Sequence, residues 1–132
     1  MTLNEENRNV LVTLRLEKAK EALTEAKGNF ELGFWRVVAN RLYYACFYTV
    51  NALLIKNGIT AHTHSGIINQ LGLHFVKKGI INEEQSKLYS RLFGLRQTGD
   101  YSDRISIKEE DVRPLLEPVE KFIEEISKQL KN

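Results

Sequence analysis

The sequence predicts an all-α protein, an antiparallel up-and-down bundle of about five helices. Apolar residues recur at spacings of three and four along most of the 132-residue chain, as on amphipathic helices. Glycines and capping residues punctuate these segments, and no segment shows the convincing alternation of a strand. Because no linker-like stretch interrupts the interior, residues 1–132 are expected to form a single domain.

The first predicted helix covers residues 4–31 and carries one apolar stripe. Gly28 interrupts the pattern, but Phe30 still falls on the stripe, so Gly33 is the better turn. The stripe consists of Val12, Leu16, Ala19, Leu23, Ala26 and Phe30.

The second predicted helix, residues 34–56, is apolar nearly all round. A helix of this kind is central in a bundle or shared with a partner. Asn57 and Gly58 close it. A third helix is predicted over residues 65–78, with Ser65 as its N-cap and Gly79 as its stop.

The fourth predicted helix spans residues 82–98. Asn82 and Gln85, three residues apart, form a capping-box-like start, and Gly99 is expected to end the helix.

A last helix is predicted to open with a capping box of Ser106 and Glu109 and to run to Leu130. Pro114 and Pro118 should kink or delay its first turns.

The charge balance argues against a general nucleic-acid footprint. Nineteen Lys and Arg against seventeen Asp and Glu leave a formal charge of +2, so any contact with RNA must be local, and nothing signals DNA specificity. The lone Cys46 offers no disulfide framework, which favours a reducing compartment.

The chain is expected to be soluble and cytoplasmic, with no membrane association. Its first residues lack an apolar core behind a basic flank, so they do not resemble a secretory signal. The densest apolar stretch, residues 42–55, is well short of the roughly 20 residues that a membrane-spanning helix needs.

Three linked motifs resemble those of the bacterial and archaeal HEPN domain proteins. They are Asn-Arg-Leu-Tyr-Tyr-Ala-Cys-Phe at 40–47, Thr-His-Ser-Gly at 63–66 and Arg-Gln-Thr-Gly-Asp-Tyr at 96–101. The resemblance covers nearly the whole chain. It implies a four-helix bundle with an additional C-terminal helix that forms a homodimer, is often encoded beside a minimal nucleotidyltransferase, and has many relatives acting as metal-independent ribonucleases or toxins.

The ribonuclease motif of that family is an Arg followed, after four to six residues, by a His near the dimer interface. Arg96 fits the arginine, but Tyr101 and the next two residues stand where the histidine belongs. The three histidines also lie outside this distance from every arginine: His62, His64 and His74.

The missing histidine matters because RNA cleavage by 2′-hydroxyl attack needs a group that exchanges protons near neutral pH. Arg96 stays charged and suits phosphate binding or stabilisation of a transition state. Asp100 could act as a base or pair with Arg96, and Tyr101 could stack on a nucleobase or donate a hydrogen bond. Alternatively, the three residues only stabilise a helix C-terminus. Arg96 would then lie near the negative end of the helix dipole and form a salt bridge with Asp100, and the ring of Tyr101 would cover the bundle.

In relatives with a tyrosine close behind the histidine, the partner nucleotidyltransferase modifies that tyrosine and silences the toxin. Tyr101 lies near that place but not in its register.

Arg41, Tyr44 and Tyr48 share one face of the second helix. A charged residue in so apolar a helix needs a partner or a cleft. Together with Arg96, these residues could line a cleft for a phosphate and stacked bases. Alternatively, Arg41 pairs with a carboxylate while Tyr43 and Tyr44 pack in the core.

His64 and Ser65 at a helix N-terminus could bind an anion or merely cap the helix. His62 and His64 lack the companion ligands of a zinc site, so no metal and no cofactor is predicted.

Three functions remain open at this point. The first is a nucleotide- or RNA-interacting dimeric module that works with a minimal nucleotidyltransferase in a toxin–antitoxin-like pair. The second is a metal-independent ribonuclease that uses Asp100 or Tyr101 chemistry. The third is a purely structural dimer.

Overall fold

A computed structural model of the protein describes residues 4–131; the ends of the predicted domain, residues 1–3 and 132, lie outside the described residues. The helices are α1 (Glu5–Leu32), α2 (Trp35–Lys56), α3 (His64–Gln70), α4 (Glu83–Tyr101), α5 (Glu109–Val112) and α6 (Leu116–Leu130).

Contacts near the helix ends establish an antiparallel topology. Arg8 at the start of α1 donates to the carbonyl of Ile55 at the end of α2, and Lys27 near the end of α1 pairs with Glu120 near the start of α6. Asp100 at the end of α4 meets Asn40 in the first half of α2. The four long helices α1, α2, α4 and α6 therefore form an up-and-down bundle, and the predicted fold class is confirmed.

Helix α2 is the central element, as its all-round apolar character predicted. It packs against α1, α4, α5 and α6, and its core side chains are withdrawn from water: Val38, Ala39, Leu42, Cys46, Val50, Leu53 and Leu54. Burial of each larger aliphatic side chain contributes about 1.5–3 kcal/mol. The bundle is thus assembled around α2.

The turn between α1 and α2 follows the prediction. Gly33 has a φ of 77°, a left-handed conformation that glycine adopts without steric cost, and its N–H bonds to the carbonyls of Asn29 and Phe30.

The N-cap of α3 differs from the prediction. Thr63, not Ser65, has the extended conformation, and its Oγ1 accepts a hydrogen bond from the N–H of Gly66 at 3.0 Å. The predicted third helix continues past α3 as a π-helical turn, Leu71–Val76.

Helix α4 begins as predicted, because Asn82 and Gln85 form a reciprocal capping box. The prediction that Gly99 ends it was wrong, since the helix continues to Tyr101. A Cβ at Gly99 would lie 3.1 Å from Cγ of Arg36 and 3.3 Å from Cγ1 of Ile107, so this glycine permits a close approach.

The last helix starts with a different cap from the one predicted. The N–H of Lys108 bonds to the carboxylate of Asp111 at 2.8 Å, and Ser106 is not part of a capping box. Pro114 lies in a 3-10 turn, Arg113–Leu115, which separates α5 from α6. The predicted disturbance is confirmed at Pro114, whereas Pro118 lies within the first turn of α6.

None of the helices in residues 4–131 combines the length and the apolar content that crossing a bilayer requires.

Candidate functional site

The candidate site lies where the last turns of α4 pack against the first half of α2. Tyr89, Phe93, Arg96 and Asp100 follow one another at spacings of four, three and four, so they form the stripe of α4 that faces α2. Tyr89 and Phe93 pack inside the bundle, whereas Arg96 and Asp100 bring charged groups to its end.

Arg96 is held among aromatic rings. Its side chain is only 18% exposed, and the guanidinium carbon lies 5.3 Å from the ring centroid of Tyr43 and 5.4 Å from that of Tyr44. Tyr101 contributes a third ring, at 5.9 Å. Cation–π contacts of this kind are each worth about 0.5–2 kcal/mol. The rings fix a permanently charged group in a largely apolar setting.

Asp100 is surrounded by three donors. Its Oδ2 lies 3.3 Å from Nε of Arg96 and accepts from Nδ2 of Asn40 at 3.3 Å, while its Oδ1 lies 3.7 Å from Nη1 of Arg36. The Arg96 contact lacks hydrogen-bond alignment, so Nε of Arg96 is buried without a hydrogen-bond partner in the described chain.

Asn40 connects Asp100 to a second arginine. Its Oδ1 accepts from Nε of Arg41 at 3.0 Å and from Nη2 of Arg41 at 2.8 Å. Nη1 of Arg41 donates to Glu25 of α1 at 3.0 Å, and the guanidinium lies 5.3 Å from the Tyr44 ring. A continuous polar network therefore joins α1, α2 and α4.

The structure brings together five of the residues that the sequence singled out: Arg41, Tyr44, Arg96, Asp100 and Tyr101. Arg41 pairs with a carboxylate, as one of its two sequence-based alternatives predicts, and it also shares the Tyr44 ring with Arg96. We call this set, together with Arg36, Asn40 and Tyr43, the arginine–tyrosine cluster.

Tyr48 lies one turn beyond the cluster. Its ring is 6.0 Å from that of Tyr44, and Nζ of Lys18 lies 5.5 Å from its centroid. Tyr48 therefore extends the aromatic surface of the cluster towards α1.

His64 contacts α4 beside the cluster. Its imidazole stacks on Phe93 with centroids 3.6 Å apart and an interplanar angle of 9°, and Phe93 precedes Arg96 by three residues. Burial lowers the pKa of His64 from its ordinary value, because the imidazolium loses water. Nδ1 is buried without a hydrogen-bond partner among residues 4–131.

Ser65, the neighbour of His64, is exposed. Its hydroxyl lies 3.4 Å from that of Thr63, and it contacts no residue of the arginine–tyrosine cluster by any hydrogen bond within residues 4–131.

The hydroxyl oxygens of Tyr43 and Tyr89 lie 3.4 Å apart in the core, within hydrogen-bond distance. Burial raises the pKa of both phenols, most strongly that of Tyr89, so both stay neutral in the physiological range. Tyr43 thus presents a neutral ring face to Arg96.

Sequence reasoning missed three residues of the cluster as site residues: Arg36, Asn40 and Tyr43. A signal was present, because positions 36, 40, 43 and 44 lie on one side of α2 and bring polar groups into an otherwise apolar helix.

Across residues 4–131, no group of three or more His, Cys, Asp or Glu side chains is arranged to hold a metal ion. The cluster itself presents guanidinium, carboxylate, amide and phenol groups, with the His64 imidazole beside it.

Comparison with known proteins gives a consistent family assignment. The HEPN domain family model matches residues 12–130. A UPF0332 protein of Thermotoga maritima is 38% identical over 84% of this chain and 84% of its own length. A Methanocaldococcus jannaschii protein described as a candidate toxin, MJ0605, is 34% identical over 98% of this chain and 95% of its own. A second such protein, MJ0142, is 30% identical over 87% of this chain and 78% of its own.

Proposed function

The chain belongs to the HEPN domain family, and we propose that it is a nucleotide- or RNA-interacting module that acts as a homodimer in the cytoplasm. The proposal includes a minimal nucleotidyltransferase as its partner in a toxin–antitoxin-like pair. Two relatives described as candidate toxins support a toxin-like role, and the resemblance to HEPN proteins encoded beside such transferases supports the partner.

The observation that carries the proposal is the setting of Arg96. A guanidinium with 18% exposure lies among three tyrosine rings, with an unbonded Nε, beside Arg41 and Arg36. Arginine binds phosphate in a fixed forked geometry, and tyrosine rings stack on unpaired bases. The cluster offers both kinds of contact within one small surface.

This local arrangement suits a chain with little net charge. Among residues 4–131, the three arginines Arg36, Arg41 and Arg96 form ion pairs with two carboxylates, Asp100 and Glu25. The cluster therefore carries an excess of positive charge, whereas the whole chain has a formal charge of +2. Phosphate contacts supply most of the affinity of single-stranded RNA binding, and stacking adds about 1–3 kcal/mol per base. A short single-stranded segment is the ligand that fits.

A metal-independent ribonuclease is the second candidate, and His64 is the observation that favours it. The imidazole stacks on Phe93, one turn from Arg96, although it comes from α3 and not from the position that the family motif prescribes. Its lowered pKa keeps the ring neutral near pH 7, the form that accepts a proton.

In this second candidate, His64 accepts the proton of an RNA 2′-hydroxyl as that oxygen attacks the phosphorus. The bond to the 5′-oxygen breaks, that oxygen takes a proton from a water molecule, and the resulting hydroxide is neutralised by the proton that His64 holds. The products are a 2′,3′-cyclic phosphate and a 5′-hydroxyl end. Arg96 would stabilise the charge on the phosphate oxygens.

The test is binding and cleavage of a labelled single-stranded RNA pool in the presence of a metal chelator. Arg96→Ala should weaken binding on the order of tenfold, because charge-assisted hydrogen bonds contribute about 1.5–3 kcal/mol each. The matched control is Arg91→Ala, which removes an exposed arginine from the same helix outside the cluster. It should bind RNA as the wild type does.

The outcomes separate the candidates. Binding without cleavage supports the binding module, and cleavage that is lost in both Arg96→Ala and His64→Gln supports the ribonuclease. A folded wild-type protein that neither binds nor cleaves RNA would leave only the structural dimer.

The partner can be tested at Tyr101, whose side chain is 70% exposed at the end of α4. If a co-expressed nucleotidyltransferase modifies it, the phenol oxygen attacks the α-phosphate of a nucleoside triphosphate and pyrophosphate leaves. Mass spectrometry should then find one added nucleoside monophosphate in the wild type and none in Tyr101→Phe. Equal modification of both proteins would exclude Tyr101 as the acceptor.

A further inference from the structure

We propose that the Asp100 carboxylate occupies a phosphate-binding position among Arg36, Asn40 and Arg96, where it competes internally with the RNA backbone. The inference rests on the proposed function, because it takes an RNA phosphodiester as the ligand of Arg96. It adds that the ligand must displace a negatively charged side chain of the protein itself.

The distances around Asp100 indicate a loose fit of its carboxylate. Its contacts with Arg96, Asn40 and Arg36 measure 3.3, 3.3 and 3.7 Å, whereas charge-assisted hydrogen bonds are typically about 2.7–2.9 Å. The neighbouring bonds of Arg41 to Asn40, at 2.8 and 3.0 Å, are of ordinary length. Three donors thus surround a space that a planar carboxylate fills loosely and a larger, tetrahedral phosphodiester would fill better.

Nε of Arg96 has no hydrogen-bond partner among residues 4–131. It is buried, and its N–H is not aligned with the Asp100 oxygen that lies 3.3 Å away. A buried donor without an acceptor is costly and uncommon in folded proteins. A phosphate oxygen seated between Arg96 and Asn40 would give this N–H an acceptor.

The position of Asp100 on α4 is unfavourable for a carboxylate. A carboxylate near a helix C-terminus is repelled by the partial negative charge there, and α4 has no basic residue in its last turn to offset this. The order Arg96 then Asp100 is also the weaker orientation of an i,i+4 ion pair. Helix stability therefore does not account for an acidic residue at this position, whereas the surrounding donors do.

The donors can remain in place when Asp100 leaves. Asn40 is held by two hydrogen bonds from Arg41, and Arg96 is held by the rings of Tyr43 and Tyr44. Asp100, by contrast, is the second-last residue of α4 and precedes an exposed loop, residues 102–106. Fraying of this last turn frees the Asp100 carboxylate and moves Tyr101 with it, while Asn40 and Arg96 keep the contacts just described.

The experiment compares RNA affinity of the full-length wild type and Asp100→Asn by fluorescence anisotropy, with a labelled single-stranded RNA and with inorganic phosphate as competitor. Asn retains an acceptor for Asn40 but lacks the charge. We expect Asp100→Asn to bind RNA more tightly, on the order of tenfold, and phosphate to compete at lower concentration.

Glu84→Gln is the control for net charge, because it removes one exposed carboxylate from the opposite end of α4, about 24 Å away at 1.5 Å per residue. It should leave RNA affinity unchanged. The double variant Arg96→Ala/Asp100→Asn should lose the gain. The competitor role would be overturned if Glu84→Gln raised RNA affinity as much as Asp100→Asn does. It would also be overturned if the double variant kept the increased affinity.

Failure of this inference differs from failure of the proposed function. If Asp100→Asn binds no more tightly than the wild type while Arg96→Ala still weakens binding, the competitor role is wrong and the RNA site stands. If neither the wild type nor Asp100→Asn binds RNA, both are wrong.

Discussion

Asn40 is the residue through which the two arginines of the cluster are connected. One amide group accepts two hydrogen bonds from Arg41 and donates one to Asp100. Only an amide side chain offers both an acceptor and a donor at this length, so neither Asp nor Leu could replace it. Its importance could not be predicted from the sequence, since it depends on the register between α2 and α4.

Replacement of Asn40 by Ala should therefore lower stability. Arg41 is partly exposed, so water replaces some of the lost bonds, and we expect a decrease of about 1 kcal/mol in the free energy of unfolding. Urea denaturation measures it. Asn51→Ala, on the same helix and also half-buried, is the control; an equal decrease there would mean that the network contributes nothing specific.

His64 predicts a pH dependence of stability. Its pKa in the folded protein lies below the ordinary 6.5, because burial disfavours the imidazolium. Between the two pKa values the unfolded chain binds more protons, so stability rises with pH in that window and is fully present above about pH 6.5. As the pH falls below that value, this contribution is progressively lost.

The measurement is the urea midpoint of the wild type, His64→Gln and His62→Gln at pH 7.5 and pH 5.5. The wild type should lose more stability on acidification than His64→Gln does. His62→Gln, which removes an exposed histidine, should respond as the wild type does. If all three proteins respond to pH identically, His64 is not penalised for charging in the folded state.

At the scale of the element, α4 illustrates what a sequence pattern misses. Glycine at a helix end usually adopts the left-handed conformation of a C-cap, so Gly99 was expected to end α4. Instead it lies inside the helix, where a side chain would press against Arg36 and Ile107. Spacing and capping rules predicted the start of α4 correctly because its cap is local, whereas the role of Gly99 depends on contacts with other segments.

Two glycine replacements in α4 should differ in outcome. Gly94→Ala meets nothing within 4 Å and should stabilise the protein by about 0.5–1 kcal/mol, since alanine favours the helix. Gly99→Ala gains the same helix propensity, but its Cβ forces Arg36 and Ile107 away. The free energy of unfolding should therefore stay the same or fall, and RNA binding should weaken because Arg36 moves. Thermal or urea unfolding tests the pair, and an equal gain at both positions would refute the close-approach explanation.

At the scale of the whole molecule, the bundle was largely predictable. Long amphipathic segments joined by short turns leave few arrangements other than antiparallel neighbours, and the all-round apolar character of α2 placed it at the centre. Arg41, Tyr44 and Arg96 could be singled out as site candidates from charge in apolar helices and from the family motif. Their meeting at one end of the bundle required the three-dimensional contacts.

That end of the bundle also bears exposed apolar side chains: Leu32, Phe34, Tyr101 and Ile105. Exposed apolar groups collected in one place often mark an interface. We expect the wild type to sediment as a dimer and Phe34→Lys to shift it towards the monomer, with Leu73→Lys, on the π-helical turn, as the matched control. A monomeric wild type, or an equal shift in both variants, would contradict this.

Binding of RNA phosphate by the guanidinium of Arg96 can be observed directly in an NMR titration. The side-chain Nε–H signals of Arg96 and Arg91 can be assigned from their absence in Arg96→Ala and Arg91→Ala. On addition of single-stranded RNA, the Arg96 signal should move with a saturating dependence on RNA concentration, while the Arg91 signal stays in place. The reason is that Nε of Arg96 gains an acceptor, which residues 4–131 do not provide. RNA that binds without moving the Arg96 signal would contradict phosphate binding by this guanidinium.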